Sequence, residues 1–219
     1  MEQISNFFAS LDYSVLYVIV GALISITFHE ASHALTAYKL GDTTARDMGR
    51  LTLNPIRHID LLGLLMMIFF RFGWAKPVPV NMHRFRKPKL GMAVVGIAGP
   101  VSNMIMAAAA MLFRALFVRI YLDTGKCFFL TEFFGVFGSL NIGLGLFNLI
   151  PIPPLDGSRV VFAFLPDKLY YTVLRYERFY PILLIILLYT GVLSKYLNIS
   201  VTAVANAMWK LAWAIFSRI

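Results

Sequence analysis

The chain has 219 residues, of which 59% are hydrophobic and 14% are charged, and its formal net charge is +9. A typical soluble domain contains about 25% charged residues, so this composition excludes an ordinary soluble protein and indicates a membrane protein with several spans. Many of the Lys and Arg residues lie between apolar runs, as in cytoplasmic loops, and no nucleic-acid-binding motif accompanies them. We therefore expect the lipid bilayer, and no nucleic acid, as a partner.

The long apolar runs predict membrane-spanning helices, because a hydrocarbon core of about 30 Å requires about 20 helical residues. Runs of suitable length begin near Tyr13, Gly91, Phe128, Tyr180 and Ile199. The third run ends at the sequence PIPPLDG, where proline stops the helix. The last run could either span the bilayer or lie flat on its surface, and we favour a span.

A further apolar run, residues 61–70, is too short to span a membrane without its flanks. Ten helical residues cover about 15 Å, so the run is either a re-entrant or tilted segment or a span extended into polar residues. Both neighbouring loops are basic, and a re-entrant segment would leave both on the cytoplasmic side. We therefore predict a re-entrant segment, which brings the second half of the first span to the same depth as the PIPPLDG turn.

These segments predict an all-α polytopic membrane protein with about five to six membrane segments, one of them short and re-entrant or tilted. The predicted organisation is a membrane-embedded core, residues 1–165, followed by C-terminal membrane segments, residues 166–219. The chemistry expected of the core depends on a few polar residues within its apolar runs.

The sequence TFHEASHAL places two histidines and a glutamate within the first predicted span. An ionisable residue at the centre of a membrane costs about 2.5–3.5 kcal/mol, so we expect these side chains to have a function. His29 and His33 are four residues apart, which puts both imidazoles on one helix face, where they could share a metal ion. In this H-E-x-x-H pattern Glu30 lies beside the metal and is the expected general base for a metal-activated water.

A catalytic zinc ion usually has three protein ligands, so a third must come from elsewhere in the chain. The single cysteine, Cys127, excludes a multi-thiolate site and leaves histidine or a carboxylate. We prefer Asp156, because the prolines before it and Gly157 after it form a sharp turn that could direct the carboxylate into the helix bundle. The alternative is an ordinary surface turn. Asn148 argues against that alternative, since it is a second polar group at a similar depth.

With TFHEASHAL and FNLIPIPPLDGSRV, the chain resembles the site-2 protease family of intramembrane zinc metalloproteases. Two further stretches, GRLTLNPIRHIDLLG and GWAKPVPVNMHRFRKPKLGMAVVGIAGPVSN, are similar to the compact bacterial and archaeal members that lack a PDZ domain. The resemblance covers about residues 21–161 and makes the predicted core a metalloprotease. It implies one Zn²⁺ per chain, held by His29, His33 and Asp156, with Glu30 as the catalytic base.

The same resemblance implies roles for other polar residues. Asn148 would bind the substrate backbone or the oxyanion, and Asn103, in the sequence GPVSN, would pack the core helices or contribute to substrate binding. The segments ARDMGRLTLNPIRHID and WAKPVPVNMHRF would flank the re-entrant region as small β-like loops and offer a strand edge to an unwound substrate. Alternatively, these basic loops only bind anionic headgroups.

The expected function is hydrolysis of peptide bonds within or next to transmembrane segments of other membrane proteins. The resemblance implies a multi-pass protein of a prokaryotic cell membrane, and the basic loops predict that its active site lies towards the cytoplasm. The alternative is a non-catalytic zinc-binding membrane protein, such as a transporter or a pseudoprotease chaperone. Few polar residues lie in the spans outside the motifs, which counts against transport, and the presence of Glu30 and all three ligands counts against a pseudoprotease. The sequence predicts neither the identity of the substrate nor the oligomeric state.

Overall fold

The computed structural model describes residues 13–60, 63, 75–176 and 179–217, and most of these residues are helical. In chain order the helices are α1 (Tyr13–Lys39), α2 (Thr44–Asp47), α3 (Pro88–Thr124), α4 (Phe128–Asn148), α5 (Asp156–Phe162), α6 (Asp167–Arg175), α7 (Tyr180–Tyr189) and α8 (Val192–Phe216), with short 3-10 turns at Pro55–Arg57 and Met82–Arg84. Helices α1, α3, α4 and α8 are long and apolar enough to cross a membrane. The prediction of an all-α polytopic membrane protein is therefore confirmed.

The number of spans differs from the prediction. The apolar run from Tyr180 forms α7, whose 10 residues cover about 15 Å, half of a hydrocarbon core. The chain turns at Gly191, whose φ of 73° lies in the left-handed region, and α8 begins at Val192, seven residues before the predicted start at Ile199. Four candidate spans lie within the described residues, so the predicted five to six are not confirmed. The predicted re-entrant segment, residues 61–70, lies outside the described residues except for Gly63.

Helix α3 lies at the centre of the bundle, where it packs against α1, α4, α5 and α8. Its buried face consists mostly of small residues, which let membrane helices approach closely, and they include Gly91, Gly96, Gly99, Ala107 and Ala110. The outer faces of the long helices carry exposed apolar side chains such as Leu16, Ile105 and Leu211. Such faces are suited to contact with lipid, as expected for membrane-spanning helices.

The two loops that flank the predicted re-entrant segment meet at one point. An antiparallel bridge pairs Ile59 with Ala75, and the N–H of Lys76 donates to the carbonyl of His58 at 3.0 Å. Beyond the bridge, Val78 packs against α1 and α2. In the part of the chain that the structure describes, this bridge is the only β pairing, and it forms where small β-like loops were expected.

Candidate active site

Three side chains that could hold a metal ion converge between α1 and α5. His29 and His33 lie one turn apart on one face of α1, and their Nε2 atoms are 3.0 Å apart. Asp156 is the first residue of α5, and its Oδ2 lies 3.0 Å from Nε2 of His29 and 3.1 Å from Nε2 of His33. All three residues are buried. The structure thus brings together the ligands predicted from the sequence, although 123 residues separate His33 from Asp156.

The geometry of this group fits zinc. Zinc bonds to imidazole nitrogen and carboxylate oxygen are about 2.0–2.2 Å long, so the ligand atoms of a tetrahedral site lie about 3.3 Å apart. The observed separations of 3.0 to 3.1 Å are close to this value. Burial alone would raise the pKa of Asp156, but the contacts with His29 and His33 outweigh it and lower that pKa below its ordinary value. The lowered pKa favours the ionised carboxylate, which is the form that would bind a metal ion in place of the protons on the two Nε2 atoms.

Hydrogen bonds to the other ring nitrogens fix the tautomers of both histidines. Nδ1 of His33 donates to the backbone carbonyl of Val95 at 2.7 Å. Nδ1 of His29 donates to Oδ1 of Asn103 at 2.6 Å, and the amide of Asn103 is oriented in turn by its bond to Oδ1 of Asn141, at 2.9 Å. With each Nδ1 protonated, the lone pair of each Nε2 is available to a metal.

The structure gives Asn103 contacts that the sequence did not reveal. Its side chain is fully buried in α3, and both ends of its amide are bound, one by His29 and one by Asn141 of α4. In this arrangement Asn103 orients His29, one of the three candidate metal ligands. A role for it in substrate binding stays a prediction. Asn141 was not predicted as part of the site, although an amide within the apolar run FGSLNIGLG indicates a need for a buried partner.

The backbone of α3 also approaches the site closely at Gly99. A Cβ atom at Gly99 would lie 2.5 Å from Cε1 of His29 and 2.5 Å from Nε2 of His33. One turn earlier, a Cβ atom at Gly96 would lie 3.0 Å from the carbonyl oxygen of Asp156. The absence of side chains at these two glycines lets the backbone of α3 pass directly beside all three candidate ligands.

Gly157 is required for a reason other than the predicted turn. It lies in the first turn of α5, and a Cβ atom there would collide with the carbonyl group of Leu149 and lie 2.8 Å from the carbonyl oxygen of Ile150. The absence of a side chain lets α5 pack directly on the chain that leaves α4. This contact, together with the packing of α5 on α3, holds Asp156 inside the bundle.

Glu30 is half-buried on α1, between the two histidines in sequence. Its Oε2 accepts a hydrogen bond of 2.8 Å from the N–H of Val78, in the loop that follows the β bridge. Its Oε1 has no hydrogen bond to any residue that the structure describes. One carboxylate oxygen is therefore held by the protein while the other remains available.

Asn148 lies at the C-terminal end of α4 and is half-buried. Its Nδ2 donates to the carbonyl of Leu144, one turn earlier in the same helix, at 3.0 Å. This bond leaves its side-chain oxygen without a partner among the described residues. Binding of substrate by Asn148 stays a prediction.

The remaining histidines do not join the metal-binding group. His58 is fully buried in the loop before the β bridge, and His83 is exposed in a 3-10 turn. Across the described ranges, only one cluster of three His, Cys, Asp or Glu residues could hold a metal ion, and it consists of His29, His33 and Asp156.

Comparisons with known proteins agree with this geometry. The model of Peptidase family M50 matches residues 117–189. YwhC of Bacillus subtilis, named as a candidate zinc metalloprotease, is 39% identical over 202 residues, which are 91% of this chain and 92% of that protein. Rip2 of Mycolicibacterium smegmatis, named in the same way, is 32% identical over 148 residues, which are 65% of this chain and 54% of that protein. Zinc metalloprotease MJ0392 of Methanocaldococcus jannaschii is 27% identical over 159 residues, which are 73% of this chain and 37% of that protein.

No solved structure matches this chain. The match to YwhC nevertheless extends over nearly the whole of both proteins, and the family match includes Asp156, the ligand most distant in sequence from the H-E-x-x-H motif. The chain therefore belongs to peptidase family M50, the site-2 protease family of zinc metalloproteases that its motifs resemble.

Proposed function

We propose that this protein hydrolyses peptide bonds within or next to the transmembrane segments of other membrane proteins. The observation that carries the proposal is the convergence of His29, His33 and Asp156 on one point beside a membrane-spanning helix. A zinc ion bound there supplies Lewis-acid chemistry, since it acidifies water and polarises a carbonyl group. As a member of its family, the protein is a zinc metalloprotease.

The residues of the chain supply proton transfer and orient the candidate metal ligands. Glu30 accepts a proton from the attacking water through Oε1 and later delivers it to the leaving amine, while Val78 holds its Oε2. Asn103 and the carbonyl of Val95 keep both imidazoles in the tautomer that binds metal. The buried surroundings strengthen the hydrogen bonds of the two imidazoles.

A transmembrane helix must unwind before a protease can cut it, because its backbone amides are already paired. The loops joined by the bridge between Ile59 and Ala75 lie beside the helix that carries Glu30, and pairing of an extended substrate with their edge would repay part of the cost of unwinding. The basic residues of these loops, among them Arg57 and Lys76, favour a cytoplasmic location for this end of the bundle. We therefore assign the active site to the cytoplasmic side of the cell membrane.

The competing function is zinc binding without catalysis, as in a transporter or a pseudoprotease chaperone. Transport requires a polar path through the bilayer, whereas the buried polar side chains of α1, α3 and α4 near the site are engaged with the metal ligands and with each other. A pseudoprotease does not require Glu30, whose Oε1 has no hydrogen-bond partner among the described residues. Proteolysis accounts both for this carboxylate and for the polar side chains bonded around the metal ligands.

The test is the variant Glu30→Gln, assayed with a single-span reporter whose transmembrane segment contains a helix-breaking Gly-Pro pair. We expect no cleavage in reconstituted vesicles but about one zinc per chain by mass spectrometry, because Gln cannot transfer the proton. Glu132→Gln is the matched control, since Glu132 is an exposed carboxylate on α4. Wild-type cleavage by Glu30→Gln would refute the proposed function.

A second variant, Asp156→Ala, tests the ligand set. It removes one of three ligands, so we expect its zinc content to fall well below that of the wild type while its helical circular dichroism is kept. Asp167→Ala, which changes an exposed carboxylate at the start of α6, serves as its control. Full zinc retention by Asp156→Ala would show that the third ligand lies elsewhere.

A further inference from the structure

The segment KPVPVN, residues 76–81, contacts the proposed general base, and we refer to it as the proline segment. Proline has no N–H, so the two prolines leave few backbone donors in the segment. Two of these donors are bound by carboxylates from α1 and its C-terminal turn. Val78 donates to Oε2 of Glu30 at 2.8 Å, and Asn81 donates to Oδ2 of Asp42 at 2.7 Å.

Arg50 holds the first residues of the proline segment. Its side chain is buried, with 6% of the residue exposed, and its Nη2 donates to the carbonyls of Lys76 and of Pro77, the latter at 3.2 Å. A buried guanidinium is costly unless hydrogen bonds compensate it, and charge-assisted bonds are the stronger kind. Arg50 therefore contributes two bonds to the backbone that immediately precedes Val78.

Asp42 holds the last residue of the segment. It is fully buried, and its carboxylate accepts bonds from the N–H of Asn81 and from both the N–H and the hydroxyl of Thr44. Its position just after the C-terminal end of α1 is unfavourable for a negative charge, because the carbonyl end of a helix is itself negative. The hydrogen bonds offset that cost and tie Asn81 to the end of the helix that carries Glu30.

We propose that Arg50 and Asp42 are positioning residues for catalysis. They fix the two ends of the proline segment, so that the N–H of Val78 holds Glu30 by Oε2 and leaves Oε1 for proton transfer. A half-buried glutamate on a helix can adopt several rotamers, and a donor in a fixed backbone selects one of them. This inference rests on the proposed role of Glu30 as the general base.

The first measurement does not depend on catalysis. Hydrogen exchange of the full chain in detergent, read by mass spectrometry on the peptide that contains Val78, reports the bond to Glu30. In Asp42→Ala and Arg50→Ala we expect exchange of this amide to accelerate by at least about tenfold, because a bond to a charged acceptor is weakened.

Two nearby variants are matched controls for this measurement. Asp47→Ala and Arg46→Ala alter an exposed ion pair in α2, whose polar contacts are with Thr43 and Tyr38 rather than with the proline segment. Exchange of the Val78 amide should be unchanged in both. Unchanged exchange in Asp42→Ala and Arg50→Ala as well would overturn the inference.

The second measurement separates positioning from a structural role. With the Gly-Pro reporter, we expect kcat of Asp42→Ala and Arg50→Ala to fall by about 10- to 100-fold, while KM and zinc content stay at the wild-type values. Asp42→Asn and Arg50→Lys keep hydrogen-bonding groups and should recover part of kcat. They also provide the comparison if an alanine variant does not fold. A loss of kcat that only follows a loss of zinc or of helicity would refute positioning.

The outcomes distinguish this inference from the proposed function. If Glu30→Gln cleaves the reporter normally, the proposed function is wrong. If Glu30→Gln is inactive while Asp42→Ala and Arg50→Ala have normal kcat, the proposed function stands and the positioning role is wrong.

Discussion

Gly99→Ala is the change for which the structure makes the sharpest prediction about the metal site. The new Cβ atom would lie 2.5 Å from Nε2 of His33 and 2.7 Å from Nε2 of His29. Non-bonded atoms are comfortable at about 3.5–4.0 Å, so each ring would have to move by about 1 Å. Zinc sites tolerate changes of only about 0.2 Å in ligand distance. At least one imidazole would therefore leave the metal.

The expected loss follows from that displacement. Changes to groups that merely orient metal ligands weaken binding by about 10- to 100-fold, so displacement of the ligands themselves should cost about 100-fold or more in zinc affinity. Competition with a chromophoric chelator measures this affinity in detergent. Alanine is a better helix former than glycine, so we expect α3 to stay helical. Circular dichroism checks this expectation.

Gly143→Ala is the matched control for Gly99→Ala. Gly143 lies in α4, and a Cβ atom there would meet only Cγ2 of Val201 at the ordinary distance of 3.9 Å within the described residues. Its zinc affinity should equal that of the wild type. Wild-type affinity in Gly99→Ala would refute the reasoning, because it would mean that α3 does not pass beside the histidines as described.

Two further predictions concern hydrogen bonds. Asn103→Ala leaves Nδ1 of His29 without its acceptor, so zinc affinity should fall by about 10- to 100-fold, whereas Ser102→Ala, on the same helix, should keep it; equal affinities in the two variants would contradict the role of Asn103. Burial would raise the pKa of Asp42, but the bonds from Thr44 and Asn81 outweigh it and lower that pKa below its ordinary value of about 3.9. Because the pKa of Asp42 is lowered in the fold, its carboxylate stabilises the folded state at pH values above the ordinary pKa, and this stabilisation is lost as the pH falls through the folded-state pKa. The melting temperature of Asp42→Asn should therefore lie below that of the wild type at pH 7 and approach it below about pH 4. A difference that grows on acidification would contradict this assignment.

The sequence was most informative where a local pattern coincided with an unfavourable environment. His29, Glu30 and His33 could be recognised because helical spacing and the cost of charge in a membrane act within a few residues. The position of Asp156 beside the two histidines could be predicted because a polar residue follows a proline-rich helix end at a similar depth. Neither inference required knowledge of how the helices pack.

The contacts around those residues could not be predicted because they depend on packing between distant helices. The bond from His29 to Asn103 and the close approach of Gly99 to the imidazoles arise only when α1 lies against α3. The bond from Val78 to Glu30 depends likewise on a loop that folds back over α1. The length of α7 was misjudged for a different reason: hydropathy does not reveal that the backbone turns at Gly191.

The distance in sequence between the ligands has a consequence for how the enzyme is made. Ribosomes add about 5–20 residues per second, so His33 is synthesised about 6–25 seconds before Asp156, which follows it by 123 residues. During that interval the nascent chain carries an incomplete site, because the segments that form α3 and α4 are both synthesised before the carboxylate. The nascent protein therefore lacks a complete set of candidate metal ligands until these two spans have been made, and only α6, α7 and α8 are still to follow.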